Sequence, residues 1–203
     1  MKKNLNKPHP WHGISSGENC PKEITAFIEI VPGDTVKYEI DKESGYLKID
    51  RPQKFSNAVP ALYGFIPKTY CGNSIAEYAS TNSKAKISKG DGDPLDICVL
   101  TEKLISHGDI LVDAIPIGGL RMIDKEEADD KIIAVLKQDE IYGTWKDISD
   151  CPQAIIDRIK HYFLTYKNLP GNPQPVIIDT VYGAEIARTV ILKSIDDYKN
   201  EIE

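Results

Sequence analysis

Asp91-Gly92-Asp93-Pro94-Leu95-Asp96-Ile97-Cys98-Val99-Leu100 sets three carboxylates directly before an apolar run. A short apolar run bounded by Gly and Pro reads as a buried strand, so these acids stand at the rim of a core. On a straight strand Asp91 and Asp93 would share a face and Asp96 would point away. Gly92 reaches φ values closed to other residues and Pro94 fixes a bend, so the three carboxylates can converge. A small hard cation such as Mg²⁺ takes oxygen ligands in near-octahedral geometry, which three such aspartates suit. An EF-hand loop does not fit. Its fifth position would be Leu95, its required sixth-position Gly is Asp96, and Pro94 is unsuited to that turn. A plain Asp-rich turn is the bland alternative.

The surrounding charge follows the same pattern. The 203 residues carry a net charge of −6 from 25 Lys+Arg and 31 Asp+Glu. Between Asp91 and Asp130 there are 11 acids and three bases, so that segment is −8 and the remainder +2. These acids interleave with the strand-like runs Ile97–Leu100 and Ile110–Val112 rather than forming one solvated block. The overall balance argues against a nucleic-acid or anionic-membrane partner, either of which calls for a basic face. Cys20, Cys71, Cys98 and Cys151 form no C-x-x-C pair, so zinc and redox readings lack support. Met1-Lys2-Lys3 leads into polar residues, and no apolar run approaches the ~20 residues of a membrane span. The reading is a cytoplasmic chain, residues 1–203 forming one domain.

Upstream, residues 1–24 read as an irregular Pro/His-rich arm. His9 and His12 there read as loop residues rather than metal ligands. Ala26–Val31, Val36–Ile40 and Tyr46–Arg51 alternate and are joined by turn residues, which predicts a β-meander. Lys37 and Glu39 then project to one face. Glu29 interrupts the apolar run Phe27–Ile30, a costly place for a carboxylate unless a cation or donor compensates it. Residues 67–90 turn to Ser, Asn, Gly, Thr and Lys and read as a long surface loop.

Downstream, strands are expected at Asp96–Thr101, Asp109–Ile117 and Lys131–Lys137, with Met122–Asp130 an acidic connection. Asp124, Asp129 and Asp130 form a second acidic set leading into Lys131. Asp150-Cys151-Pro152 opens a helix with Ile155, Ile156, Ile159, Phe163 and Tyr166 on one face. Ala187, Val190, Ile191, Ile195 and Tyr198 mark a second. Strands first and helices later predict a mainly β chain with α (α+β), a small barrel or curled sheet with packed helices.

Taken together, the blocks resemble the family I soluble inorganic pyrophosphatases. The hexad Asp91–Asp96 with Ile97 carries the likeness. Phe27–Ile30, Lys37–Gly45, Asp50-Arg51, Tyr63–Phe65, Asp124–Lys131 and His161–Lys167 follow in the family's order. The resemblance implies a five-stranded OB-like closed β-barrel with flanking C-terminal helices. It also implies Mg²⁺-dependent hydrolysis of pyrophosphate to two orthophosphates, which drives pyrophosphate-releasing biosynthesis forward. Mn²⁺ and Zn²⁺ are candidate substitutes, with several ions per site. Asp91, Asp96 and Asp129 match the principal metal ligands, with Asp124 and Glu29 beside the ions that accompany the substrate. Asp93 matches the general base. Lys37, Arg51, Tyr63, Lys131, Tyr166 and Lys167 match phosphate-binding positions, and Glu39 a supporting carboxylate. The chemistry agrees, because an acidic site holds a polyanion only through bridging cations.

Two departures stand out. Val59 occupies a position where many bacterial members have Tyr, and the stretch Pro67–Gly90 is longer than in compact members. A homo-oligomer is implied, either a hexamer or a dimer. The competing readings are another Mg²⁺-dependent phosphohydrolase acting on polyphosphate or a nucleotide, and an OB-type binding module. The second would call for a basic, aromatic-lined groove rather than converging aspartates.

Overall fold

The computed structural model describes residues 7–168 and 176–203, so residues 1–6 of the expected arm lie outside the described residues. In chain order the strands are β1 (Ile24–Ile30), β2 (Val36–Ile40), β3 (Leu47–Pro52), β4 (Leu62–Phe65), β5 (Lys89–Gly90), β6 (Asp96–Leu100), β7 (Ile110–Asp124), β8 (Glu127–Ala128), β9 (Lys131–Leu136) and β10 (Val176–Gly183). The helices are α1 (Asn73–Thr81), α2 (Gln153–Thr165) and α3 (Ala184–Glu201). The chain is thus α+β, mainly sheet with three helices. No helix among the described residues is long and apolar enough to cross a membrane.

The main sheet runs β1-β4-β6-β9-β7-β8-β5, with β10 on β7 and a further pairing of β1 with β7. β6 and β9 run parallel, with Asp96 beside Lys131 in the register. β1, β6 and β9 are buried along most of their length, which is why β6 and β9 read as continuous apolar runs rather than alternating ones. Helices cover two flanks. α1 and α3 bring Ile75, Ala79, Ala187, Val190 and Ile191 onto a core with Ile28, Leu62 and Ile97. α2 packs Ile156, Ile159 and Phe163 against Cys98, Ile133 and Val135.

Four expectations need correction. The predicted meander is divided: β1 joins the main sheet, and β2 and β3 form a separate two-stranded sheet. β1 finds its partners in β4 and β7, far along the chain, and its buried faces demand them. Residues 67–90 are not a plain surface loop, since α1 lies within them and buries Ile75, Ala76 and Ala79. Its start carries no local cap; the carboxylate of Asp197 in α3 accepts from the backbone N–H of Gly72, Ser74 and Ile75 at 2.8–3.0 Å. The acidic connection is also more ordered than expected, because β7 runs on to Asp124 and returns through a two-residue turn into β8. Lys125 and Glu126 both take φ > 0 there (51° and 66°), without the Asn-Gly signature of such turns. Finally, β10 lies between the two closing helices where no strand was expected.

Candidate active site

The ends of several strands meet at one cleft of about 270 Å³. β6 begins with Asp96, β9 begins with Lys131, and Asp129 precedes it by two residues. β7 ends with Asp124, β1 supplies Glu29 and β4 supplies Tyr63. The β2–β3 hairpin brings Lys37, Glu39 and Arg51, and the end of α2 brings Tyr166 and Lys167. All of these line the cleft, together with Asp91 and Asp93. Every residue to which the resemblance gives a site role is therefore brought to one place, whereas Asp130 of the second acidic set turns away to Arg121 and the Tyr182 hydroxyl. Pro94, read above as the bend of the acidic hexad, lines it too, as do Lys42, Glu127, Ile40 and Phe65, which were not singled out. Glu127 sits opposite Asp124 across the β7–β8 turn, and Lys42 follows β2; the acidic run and the hairpin's cations were the available signals.

Local chemistry shapes the acidic loop. Gly92 has φ +76°, the left-handed conformation that lets the chain double back between Asp91 and Asp93. Asp93 N–H donates to Asp91 Oδ1 at 3.0 Å, an Asx turn. Leu95 N–H donates to the Thr69 hydroxyl at 2.9 Å, and Cys71 N–H donates to the Asp93 carbonyl at 2.9 Å. The loop is thus tied to the 66–71 segment beneath it.

Within the cleft, opposite charges are interleaved. Lys131 is buried, and its ammonium bonds to both Asp96 and Asp129. Burial works against that charge, but the two carboxylates outweigh it and hold the Lys131 pKa well above its ordinary value. Tyr63 donates to Asp96 Oδ2 at 2.6 Å, and Lys167 to Asp124 Oδ2 at 2.6 Å. Burial, then the Asp96 charge, raise the Tyr63 phenol well above its usual range, so it stays a donor. Lys37 bonds to Glu39 and to Asp50, Arg51 bonds to Asp50, and Lys42 bonds to Asp93. Burial pushes Asp91 well above the usual carboxylate range, with the Asp129 charge adding to it. Asp129 is raised by the same burial against the pull of Lys131. Glu29 accepts from Ile40 N–H at 2.6 Å, yet burial pushes its carboxyl up to about 8.

The donor set suits a divalent cation. Asp91, Asp96, Asp124, Asp129 and Glu29 converge where burial penalises uncompensated negative charge, and all offer hard oxygen. Asp124 Oδ1 is buried with no hydrogen-bond partner among the described residues. Among the described residues no group of three carboxylate, imidazole or thiol side chains is already closed around an ion position. The Lys131 ammonium stands between Asp96 and Asp129 instead, so it is both counter-ion to the acids and a cation for an incoming anion.

Comparison with known proteins points in one direction. The family model described as inorganic pyrophosphatase matches residues 26–199. An inorganic pyrophosphatase of Chlamydia trachomatis serovar D is 53% identical over 201 residues, covering 97% of this chain and 96% of the relative. Soluble inorganic pyrophosphatase 2 of Chlamydomonas reinhardtii is 37% identical, covering 94% and 88%. The crystal structure of inorganic pyrophosphatase from Thermus thermophilus superposes with a TM-score of 0.78 at 28% identity, covering 95% of this chain and 99% of that one.

Proposed function

The chain belongs to the inorganic pyrophosphatase family, and we propose that the cleft described above is where it works, with Mg²⁺ as its ion. As an inorganic diphosphatase it hydrolyses pyrophosphate to two orthophosphates with a divalent metal cofactor. Asp91, Asp96 and Asp129, with Asp124 and Glu29, are the residues that hold the metal. When bound, the metal neutralises substrate charge and acidifies a water. Asp93 takes the proton of the attacking water at a carboxylate oxygen as the new P–O bond forms. The bridging P–O bond then breaks and the second phosphate leaves. Lys37, Arg51, Tyr63, Lys131, Tyr166 and Lys167 bind and orient the phosphoryl oxygens and stabilise the charge that develops on them. Glu39 supports Lys37, to which it is bonded.

The observation that carries this reading is the convergence of every one of these residues on a single cleft. The finer architecture fits it as well. Pairing passes from β1 through β4, β6, β9 and β7 and returns to β1, which supports an OB-like closed five-stranded barrel within one domain, residues 1–203. The family relationship supports a homo-oligomer, a hexamer or a dimer. Four free cysteines support a reducing, cytoplasmic location.

The test is phosphate release from pyrophosphate with and without Mg²⁺, for the wild type and Asp93→Asn. Mg²⁺-dependent turnover should fall about 10²-fold or more in the variant, the scale of losing a general base. Unchanged turnover at neutral pH would remove Asp93 from that role.

A further inference from the structure

The Pro/His segment Lys7–Gly13 has no part in the chemistry above, yet its contacts reach both sides of the cleft. Among the described residues β2 and β3 pair only with each other, while carrying Lys37, Glu39 and Arg51. Among the described residues, no strand-to-strand ladder ties this hairpin to the sheet that bears Asp96 and Lys131. Glu29 accepting from Ile40 N–H, the Lys42–Asp93 ion pair and Gln53 donating to the Tyr162 hydroxyl are links across this gap, and the arm adds a further set.

On the side of the acidic loop, Trp11 is 4% exposed. Its indole Nε1 donates to the Thr69 carbonyl at 2.8 Å, and its carbonyl accepts from Lys68 N–H at 2.9 Å. The Thr69 hydroxyl is the group that accepts from Leu95 N–H inside the loop. On the hairpin side, His9 Nδ1 accepts from Trp11 N–H at 3.1 Å, which leaves the proton on Nε2. Nε2 then donates to the Lys42 carbonyl at 3.2 Å. Gly45, at φ +74°, lies so near the His9 ring that a Cβ there would stand 2.8 Å from it. The Trp11 ring belongs to a core cluster with Ile40 and Phe65, both of which line the cleft. The Lys42 ammonium lies 5.9 Å above that ring and bonds to Asp93. His12 Nδ1, 2.7 Å from the Tyr198 hydroxyl, anchors the arm to α3.

We propose that the His9–Trp11 arm is a positioning clamp, setting the hairpin that bears Lys37 and Arg51, and the turn that bears Lys42, against the acidic loop. The clamp rests on the reading of Lys37 and Arg51 as substrate-binding cations. Their value depends on distance: cations held in place bind a small polyanion without first being ordered, and a displacement of ~1 Å can cost up to 10²-fold. Neither His9 nor Trp11 lines the cleft, so each acts through the residues it holds.

Steady-state kinetics on the full chain with saturating Mg²⁺ test this, using His9→Ala, His9→Gln, Trp11→Ala and Trp11→Phe. His9→Ala and Trp11→Ala should raise KM for pyrophosphate about tenfold while kcat stays within about threefold, the pattern of lost uniform binding. His9→Gln, which retains a donor for the Lys42 carbonyl, should restore most of the affinity. The Kd of inorganic phosphate, measured calorimetrically with Mg²⁺ present, should rise in parallel. An arm that only stabilises the fold would lower the melting temperature and the active fraction, and with it kcat, leaving KM and the phosphate Kd untouched; that result overturns the clamp. If Trp11→Ala does not fold, the His9 pair and Trp11→Phe decide. Lys37→Ala and Arg51→Ala, assayed alongside, separate the two levels. Raised KM in these with unchanged KM in the arm variants defeats the clamp alone. Unchanged KM in the hairpin variants defeats the substrate assignment and the clamp with it.

Discussion

The floor and the wall of the cleft are built differently. The floor, from Asp91–Asp96 and Asp129–Lys131, grows out of β6 and β9, whose ladder puts Asp96 beside Lys131. Its central ammonium is 3% exposed and bonded to two carboxylates. The wall is the β2–β3 hairpin, held by side chains, one carboxylate and the arm, and its Arg51–Asp50 pair is about a third exposed. Charge on the floor is therefore costly to leave unpaired, whereas the Arg51–Asp50 charge on the wall is shared with water. The floor should govern stability and metal binding together, and the wall should govern substrate affinity with little effect on stability.

The largest effect should follow from Lys131→Met. Removing the ammonium leaves buried Asp129 and half-buried Asp96 without their cation, a loss of about 3–5 kcal/mol for a broken buried pair. Urea denaturation in the presence of a chelator measures it. Added Mg²⁺ at about 100 times its Kd should return about 2.7 kcal/mol, because the ion binds the folded carboxylates and not the dispersed ones. A loss under about 1 kcal/mol would put the floor in the same class as the wall.

Glu29 joins the two regions, and its titration gives the next effect. Its folded pKa of about 8 lies above the ordinary carboxylate value, because burial favours the neutral form. The folded state thus holds a proton that the unfolded chain releases, and this contribution to stability declines as pH rises from about 4.5 to 8. Asp130, raised by burial to about 6, declines in the same sense but is complete at lower pH. Glu29→Gln keeps an acceptor for Ile40 N–H and should flatten the metal-free profile between pH 6 and 8, by on the order of 2 kcal/mol relative to the wild type. Parallel profiles would show that Glu29 is ionised in the folded protein throughout.

How much of this could be read from the sequence depended on where each signal lies. β6 and β9 were legible from their apolar runs, and α2 and α3 from their spacing. The Gly92 and Pro94 bend was legible because those residues restrict the backbone wherever they stand. α1 was hidden because its cap is Asp197, in α3. The β7–β8 turn was hidden because Lys125 and Glu126 adopt a conformation that usually selects Asn or Gly. The departure of β1 from the meander depends on partners in β4 and β7 that no local pattern reveals. In the site, spacing alone exposed the three aspartates of the hexad. Lys37, Arg51, Tyr63, Tyr166 and Lys167 came from the family likeness, since a cation on a strand looks the same whether it faces water or substrate. Lys42 and Glu127 were passed over for that reason.

The smallest stability effect should come from Arg51→Ala, and this is where the comparison can be broken most cleanly. Deleting Arg51 does not strand its partner, because Asp50 also accepts from Lys37 Nζ at 3.1 Å. Asp50 is itself partly open to water. A pair of this kind contributes about 0–1 kcal/mol, so the urea midpoint should shift by no more than that. The same substitution should nonetheless weaken pyrophosphate binding by about tenfold, since a guanidinium's paired donors to phosphate oxygens have no substitute in Ala. A stability loss near that of Lys131→Met would mean that the hairpin's charges are as deeply committed to the fold as the floor's. The wall would then be a second floor, and the arm behind it would have nothing left to position.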